Sequence, residues 1–179
     1  MDRIAILGLG NVLMRDDALG PHAIGLLESR YDFPDEVSLV DLGTPGFDLH
    51  PHLEGLDAAI IVDTVRATGD AGETRLYRRD EILRHAPGQR LGPHDPGLKQ
   101  ALLGLEFVQR GPQEVLLVGV IPESTASEVG LSLAVQAALP AVESAVLEEL
   151  CRLGFPARQA DPPREPNLWW EKAPGAPRS

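Results

Sequence analysis

The chain has 179 residues, 43% hydrophobic and 24% charged, which fits one globular domain that can bury a core without staples. Its net charge of −11 argues against a nucleic-acid partner, because binding phosphates needs a basic face. The single cysteine, Cys151, rules out an intramolecular disulfide and suits a reducing compartment.

Met1-Asp2-Arg3 leads straight into a strand-like run, so no signal peptide is expected. No apolar run approaches the ~20 residues of a membrane helix, and a cytoplasmic location is expected. Residues 3–8 read as a short buried strand. Asp16 or Asp17 is placed to cap the next helix, since a side-chain oxygen there can accept a free backbone N–H. Leu19, Ala23, Leu26 and Leu27 recur at helical spacing and predict a helix over 18–30, stopped by Pro34. A second strand spans 37–41, Gly43-Thr44-Pro45-Gly46 is a turn, and 47–53 is a short helix weakened by Pro51.

The run 58–63 is the most hydrophobic and reads as a central strand, while 73–78 alternates like a half-buried edge strand. Asp80 is placed to cap a short helix reaching His85; 86–96 is loop, and Leu98, Ala101, Leu102 and Leu105 mark another helix. Residues 114–121 form a buried strand. Residues 132–153 form a long helix divided at Pro140, with Leu139, Val142, Val146 and Leu150 on its apolar stripe. From Pro156 on, six prolines break every periodicity. A single α/β domain at 1–155 is therefore expected, followed by an irregular tail at 156–179, partly docked by Trp169 and Trp170. Strands alternating with helices imply a three-layer α/β fold. Its mostly parallel, twisted five-stranded sheet has one antiparallel edge strand and helices on both faces.

Open α/β sheets build their sites at the carboxyl ends of strands. There the chain offers Asp16-Asp17 after Gly8-Leu9-Gly10, Asp63 closing Ala59-Ile60-Ile61-Val62, and His94 in Gly92-Pro93-His94-Asp95-Pro96-Gly97. Two carboxylates and an imidazole suit a borderline divalent ion such as nickel or zinc, and three protein ligands leave positions for water or substrate. Each residue also has an ordinary reading, as a cap, a strand-ending acid or a surface loop residue. Gly8-Leu9-Gly10 with Asp41 ending the second strand suggests a dinucleotide loop. However, Leu13 stands where the third glycine is needed, and the aspartate pair would repel a pyrophosphate.

His22, His50, His52 and His85 read as structural or surface residues; His50 and His52 would point to opposite sides of an extended chain. Ser124 and Thr125 lack the G-x-S-x-G elbow, and Cys151 beside Leu150 and Leu153 reads as packing.

Five ordered blocks carry a specific resemblance. They are Gly8-Leu9-Gly10-Asn11-Val12-Leu13 with Asp16-Asp17-Ala18-Leu19-Gly20; Asp41-Leu42-Gly43-Thr44-Pro45-Gly46; Ile61-Val62-Asp63-Thr64-Val65; Pro93-His94-Asp95-Pro96-Gly97-Leu98; and Val118-Gly119-Val120-Ile121-Pro122-Glu123-Ser124. Together they resemble the hydrogenase maturation endopeptidases, which trim a C-terminal extension from the large subunit of nickel–iron hydrogenases. The resemblance implies a phosphorylase/hydrolase-like fold and an aspartyl-type or metal-dependent peptidase. Its metal-contacting and catalytic trio falls on Asp17, Asp63 and His94. The first of these is often Glu in relatives, so Asp17 is one methylene shorter. Asp41 matches the acid of the family's D-x-G-T-x-G turn, implied in positioning substrate or in hydrolysis; its ordinary role is to stabilise a turn.

The resemblance also implies nickel carried by the precursor's own cysteines and recognised rather than permanently held. Zinc or cadmium would be adventitious occupants of the same modest site. The implied partner is the large-subunit precursor, met by a monomer. The rival readings are a non-catalytic maturation chaperone, a nucleotide-binding oxidoreductase, and an α/β peptidase with another substrate.

Overall fold

The structure, a computed structural model, describes residues 3–45, 48–84 and 95–172. In chain order it runs β1 (Ile4–Leu9), a 3-10 turn (Arg15–Ala18), α1 (Leu19–Arg30), β2 (Tyr31–Asp32), β3 (Val37–Gly43) and α2 (His50–Leu53). Then follow β4 (Ala58–Thr64), β5 (Thr74–Arg78), α3 (Arg79–Arg84), α4 (Asp95–Phe107), β6 (Glu114–Val120), α5 (Leu133–Leu153), β7 (Arg158–Gln159) and a 3-10 turn (Trp169–Lys172). The main sheet has the order β3-β1-β4-β6-β5, parallel except for β5, which pairs antiparallel with β6. This is the expected mostly parallel five-stranded sheet with one antiparallel edge strand.

The three central strands are apolar on consecutive residues because each faces two cores. Ile4 and Ile6, Ile60 and Val62, and Leu116 and Val118 pack under α1 and α5. Leu7 and Leu9, Ile61, and Val115 and Leu117 pack under α2, α3 and α4. At the edge, β5 presents Tyr77 to the second core and leaves Leu76 50% exposed. The connection from β1 through α1 leads to β3 on one side of β1, and the return through α2 leads to β4 on the other. The sheet therefore switches direction between β1 and β4, and the crevice beyond their carboxyl ends is where open α/β folds hold ligands.

Several local expectations are corrected. Asp16 and Asp17 do not cap α1: they lie in the preceding 3-10 turn, and the N-cap is Ala18 with no side-chain bond. α1 ends at Arg30 as expected, but the stop is Tyr31, which turns extended and joins β2, rather than Pro34. Asp80 sits inside α3 and pairs with Arg84 rather than capping. α4 already begins at Asp95, within the expected loop. His50 and His52 lie on α2, not on an extended chain.

α5 runs unbroken through Pro140. Both Pro140 and Gln136, whose carbonyl loses its donor there, are exposed, which makes the lost bond tolerable. The helix is bounded by Ser132, whose hydroxyl accepts from the Val135 N–H, and by Gly154 at φ 90°. Cys151 is exposed rather than packed. Gly46 of the expected turn, Phe47, His85, the loop at 86–94 and the last tail prolines lie outside the described residues.

The segment after α5 lies along the outer side of α1. β7 pairs antiparallel with β2, and the amides of Ala160 and Arg164 donate to the carbonyls of Arg30 and Ser29. The Arg164 guanidinium donates to the carbonyls of Glu28 and Tyr31 and to Asp32. Trp170 is buried with its ring edge on His22, centroids 5.2 Å apart, whereas Trp169 is 60% exposed. His22 in turn stands 2.8 Å from the Glu171 carboxylate and 3.0 Å from the Ala18 carbonyl oxygen. Sheet on one side and tail on the other explain why His22, Gly25 and Ser29 of α1 are buried.

A polar clasp joins α5 to the sheet edge. Glu149, 3% exposed, accepts from Arg152 of its own helix and from Arg78 of β5. Burial pushes its carboxyl up, but the Arg152 and Arg78 guanidinium groups outweigh that and hold it below the ordinary value of 4.5. A carboxyl depressed on folding stabilises the fold above its unfolded value, and that contribution is lost as pH falls through the folded value. Glu149→Gln should therefore cost about 1–3 kcal/mol at neutral pH. Thermal melts across pH should show the parent and variant converging once the pH drops below the depressed carboxyl value.

Candidate active site

The site begins where β1 ends. Backbones meet directly there: a Cβ on Gly20 would lie 2.2 Å from the Leu9 carbonyl oxygen, and one on Gly10 (φ 136°) would lie 1.6 Å from that of Asp17. These glycines allow α1 and its leading turn to sit tightly on β1. The space a pyrophosphate would need beside Gly10 is filled by the Asp17 backbone, which counts against the dinucleotide reading. Asn11 shapes the loop by accepting from the Leu13 N–H through its side chain and from the Met14 N–H through its carbonyl.

The two adjacent aspartates have different environments. Asp16 is fully buried and saturated: its Oδ2 accepts from the amides of Glu123 (2.8 Å) and Ser124 (3.0 Å) and from the Ser132 hydroxyl (2.9 Å), and its Oδ1 accepts from the Ser132 amide (2.6 Å). It ties the loop after β1 to the loop after β6 and to the start of α5, where the helix dipole favours a negative charge. The Arg15 amide donates to the Glu128 carbonyl, and the Asp16 amide to that of Ser124, reinforcing the seam.

Asp17 is 8% exposed and less committed. Its Oδ2 accepts from the Asn11 amide at 2.9 Å, and among the described residues its Oδ1 has only the Thr64 hydroxyl at 3.5 Å. It opens on a cleft of about 210 Å³, with an apolar wall of Met14, Val65 and Pro122 and polar groups from Asp17, Thr64, Arg66 and Thr125.

Asp63, 3% exposed, is the last residue but one of β4 and lies beside Gly119 of β6. It belongs to the row of Ala59 and Ile61 that faces the second core, and its Oδ1 accepts from the Thr64 amide at 2.7 Å. Thr64 thus bonds one expected site carboxylate through its backbone and the other through its side chain. Sequence reasoning gave Thr64 and Arg66 no role. The only signal was their place directly after a strand-ending acid.

His94 lies outside the described residues. It precedes Asp95, the first residue of α4, and α4 covers the core on the Asp63 side through Leu98, Ala101, Leu102 and Leu105. Among the described residues no three of His, Cys, Asp and Glu gather within reach of one ion.

Asp41 stands apart from this pair. It pairs with Gly8 across β3 and β1, while Asp63 is on β4, so the strand spacing separates them by about 10 Å. It accepts from the Gly43 amide at 2.9 Å, the turn-stabilising role. Its carboxylate lies toward α1. Burial first, and then Asp41, push the Glu28 carboxyl upward, against the pull of Arg164. Ser124 spends its amide on Asp16 and its hydroxyl on the Ala126 amide. His22 is held by the tail.

A family model described as hydrogenase maturation protease matches residues 21–149. The hydrogenase 2 maturation protease of Escherichia coli (strain K12) is 38% identical over 156 residues, which are 87% of this chain and 94% of the relative. The hydrogenase expression/formation protein HoxM of Azotobacter vinelandii is 36% identical over 88% of this chain and 77% of its own length. In three dimensions the chain is similar to the solved structure of the hydrogenase maturating endopeptidase HybD from E. coli. The TM-score is 0.80 at 34% identity, over 89% of this chain and 99% of that one. With a sheet whose switch point holds a cleft carboxylate, and with likeness in both sequence and fold across nearly the whole chain, this protein belongs to the hydrogenase maturation proteases.

Proposed function

We propose that this endopeptidase removes the C-terminal extension of a nickel–iron hydrogenase large-subunit precursor after nickel insertion, acting as a monomer in the cytoplasm. The observation that carries the proposal is Asp17. This carboxylate is more than nine-tenths buried, yet it opens on the cleft with one oxygen holding only a 3.5 Å contact. Such an oxygen has lone pairs left for a cation; those of Asp16, with four donors, are used.

Asp63, linked to Asp17 through Thr64, and His94, which precedes α4 in sequence, would complete the oxygen and nitrogen donors that suit nickel. The nickel belongs to the substrate and serves as the mark that insertion is complete; zinc or cadmium would be adventitious on the same trio. The chain's own groups orient the metallated end of the precursor beside its scissile bond. A site carboxylate takes a proton from water as the water oxygen adds to the scissile carbonyl. The proton passes to the leaving nitrogen as the C–N bond breaks, giving a carboxyl and an amine. Asp41, on the other side of β1, positions the precursor along the rim.

Asp17→Asn, Asp63→Asn and His94→Ala should each slow conversion of precursor to mature subunit about 100-fold or more, read by mass spectrometry. Normal processing by all three would reject the trio. A precursor that stays bound but keeps its extension with the parent protein would favour the chaperone reading. Asp16→Asn should behave differently, losing about 2 kcal/mol or more of stability because buried donors lose their acceptor. A precursor assembled without nickel should remain uncut, and cleavage at the ordinary rate would reject nickel as the mark.

A further inference from the structure

The cleft that holds Asp17 also holds a cation. Arg66 lies two residues beyond Thr64, past the end of β4; it is exposed and lines the same space. In a chain with 27 acidic and 16 basic residues, most described arginines face a carboxylate. Arg15 pairs with Glu128, Arg30 with Glu143, Arg75 with Glu73, Arg79 with Glu106 and Arg110 with Glu54. Arg66 has no carboxylate within 4.0 Å among the described residues, although Asp17 shares its cleft. A guanidinium presents a planar fork matched to a carboxylate, and it remains charged at every relevant pH.

We infer that Arg66 is a specificity-determining residue that captures a carboxylate of the substrate peptide close to the scissile bond. This rests on the peptidase reading above. Arg66 and Asp17 line the same small cleft, of about 210 Å³, so the captured group lies close to the cut. Without Arg66, a carboxylate entering here would meet only the negative charge of Asp17. With it, the cleft has one group for an arriving cation and one for an arriving anion, which fixes the direction in which the peptide threads. The carboxylate is either an acidic side chain beside the cut or the chain terminus of a short extension; both present the same two oxygens.

The test uses the full-length protein and a synthetic peptide spanning the precursor's cleavage site and C terminus. The peptide is made in three forms: native, with acidic side chains replaced by their amides, and with an amidated terminus. On precursor, Arg66→Gln should raise KM about tenfold with little change in kcat, the loss of one charge-assisted contact. Arg66→Lys should recover part of it. On the Asp17→Asn background, where no cutting is needed, calorimetry should show native-peptide affinity falling about tenfold on adding Arg66→Gln. The peptide form that lacks the captured carboxylate should bind both equally, which identifies the source. An unchanged KM and equal affinities for all three peptides would overturn the role of Arg66 while leaving cleavage intact. A parent protein that binds in the same Arg66-dependent way but never cuts would overturn the peptidase reading alone.

Discussion

The geometry of the cleft depends on one buried carboxylate that does not face it, Asp16. In the sheet β4 lies between β1 and β6, so the loops after β1 and β6 are not neighbours by strand pairing. Asp16 joins them, accepting from two amides in the loop after β6 and from the amide and hydroxyl of the residue that caps α5. The two loops therefore meet over the end of β4, where Asp63 and Thr64 lie. A 3-10 turn rotates consecutive side chains by about 120°, so holding Asp16 inward turns Asp17 in another direction, toward the cleft. A saturated buried carboxylate and a cleft-facing one are thus adjacent residues of one type.

Neutral donors, not cations, hold these two carboxylates: among the described residues, Asp16 and Asp17 accept from amides and hydroxyls. An arginine at either would have cancelled its negative charge. Elsewhere the protein does use arginine in this way, as Arg78 and Arg152 do on Glu149, where the task is to fasten a helix to a sheet edge. The contrast separates a structural clasp from a binding group more clearly than burial does, since Glu149, Asp16 and Asp63 are all nearly inaccessible.

The fold was legible because its signals are local. Apolar runs such as Ala58–Val62 are buried on both faces, and the alternation of strands and helices leaves few topologies. The neighbourhood of Asp17 and Asp63 was legible too, since Asp17 follows β1 and Asp63 lies at the end of β4, its parallel partner, so that both fall at one rim. The division of labour between Asp16 and Asp17 was not, because it is set by partners more than a hundred residues away: Glu123, Ser124 and Ser132. Helix capping failed as a guide for the same reason, as tertiary donors outcompeted the local N–H groups. Thr64 and Arg66 carried no pattern of their own; only folding shows that one spans two carboxylates and the other shares a cleft with one of them. Pro140 read as a break because a sequence does not show that the abandoned carbonyl would sit in solvent.

The grip of the tail on α1 ends at a telling place. Glu171 touches His22, His22 touches the carbonyl of Ala18, and Ala18 follows Asp17 in the chain. The tail thus reaches, through one imidazole, the carbonyl of the residue that follows the cleft carboxylate. The tail is therefore part of the packing around α1 and the turn that carries Asp17, rather than an appendage to it.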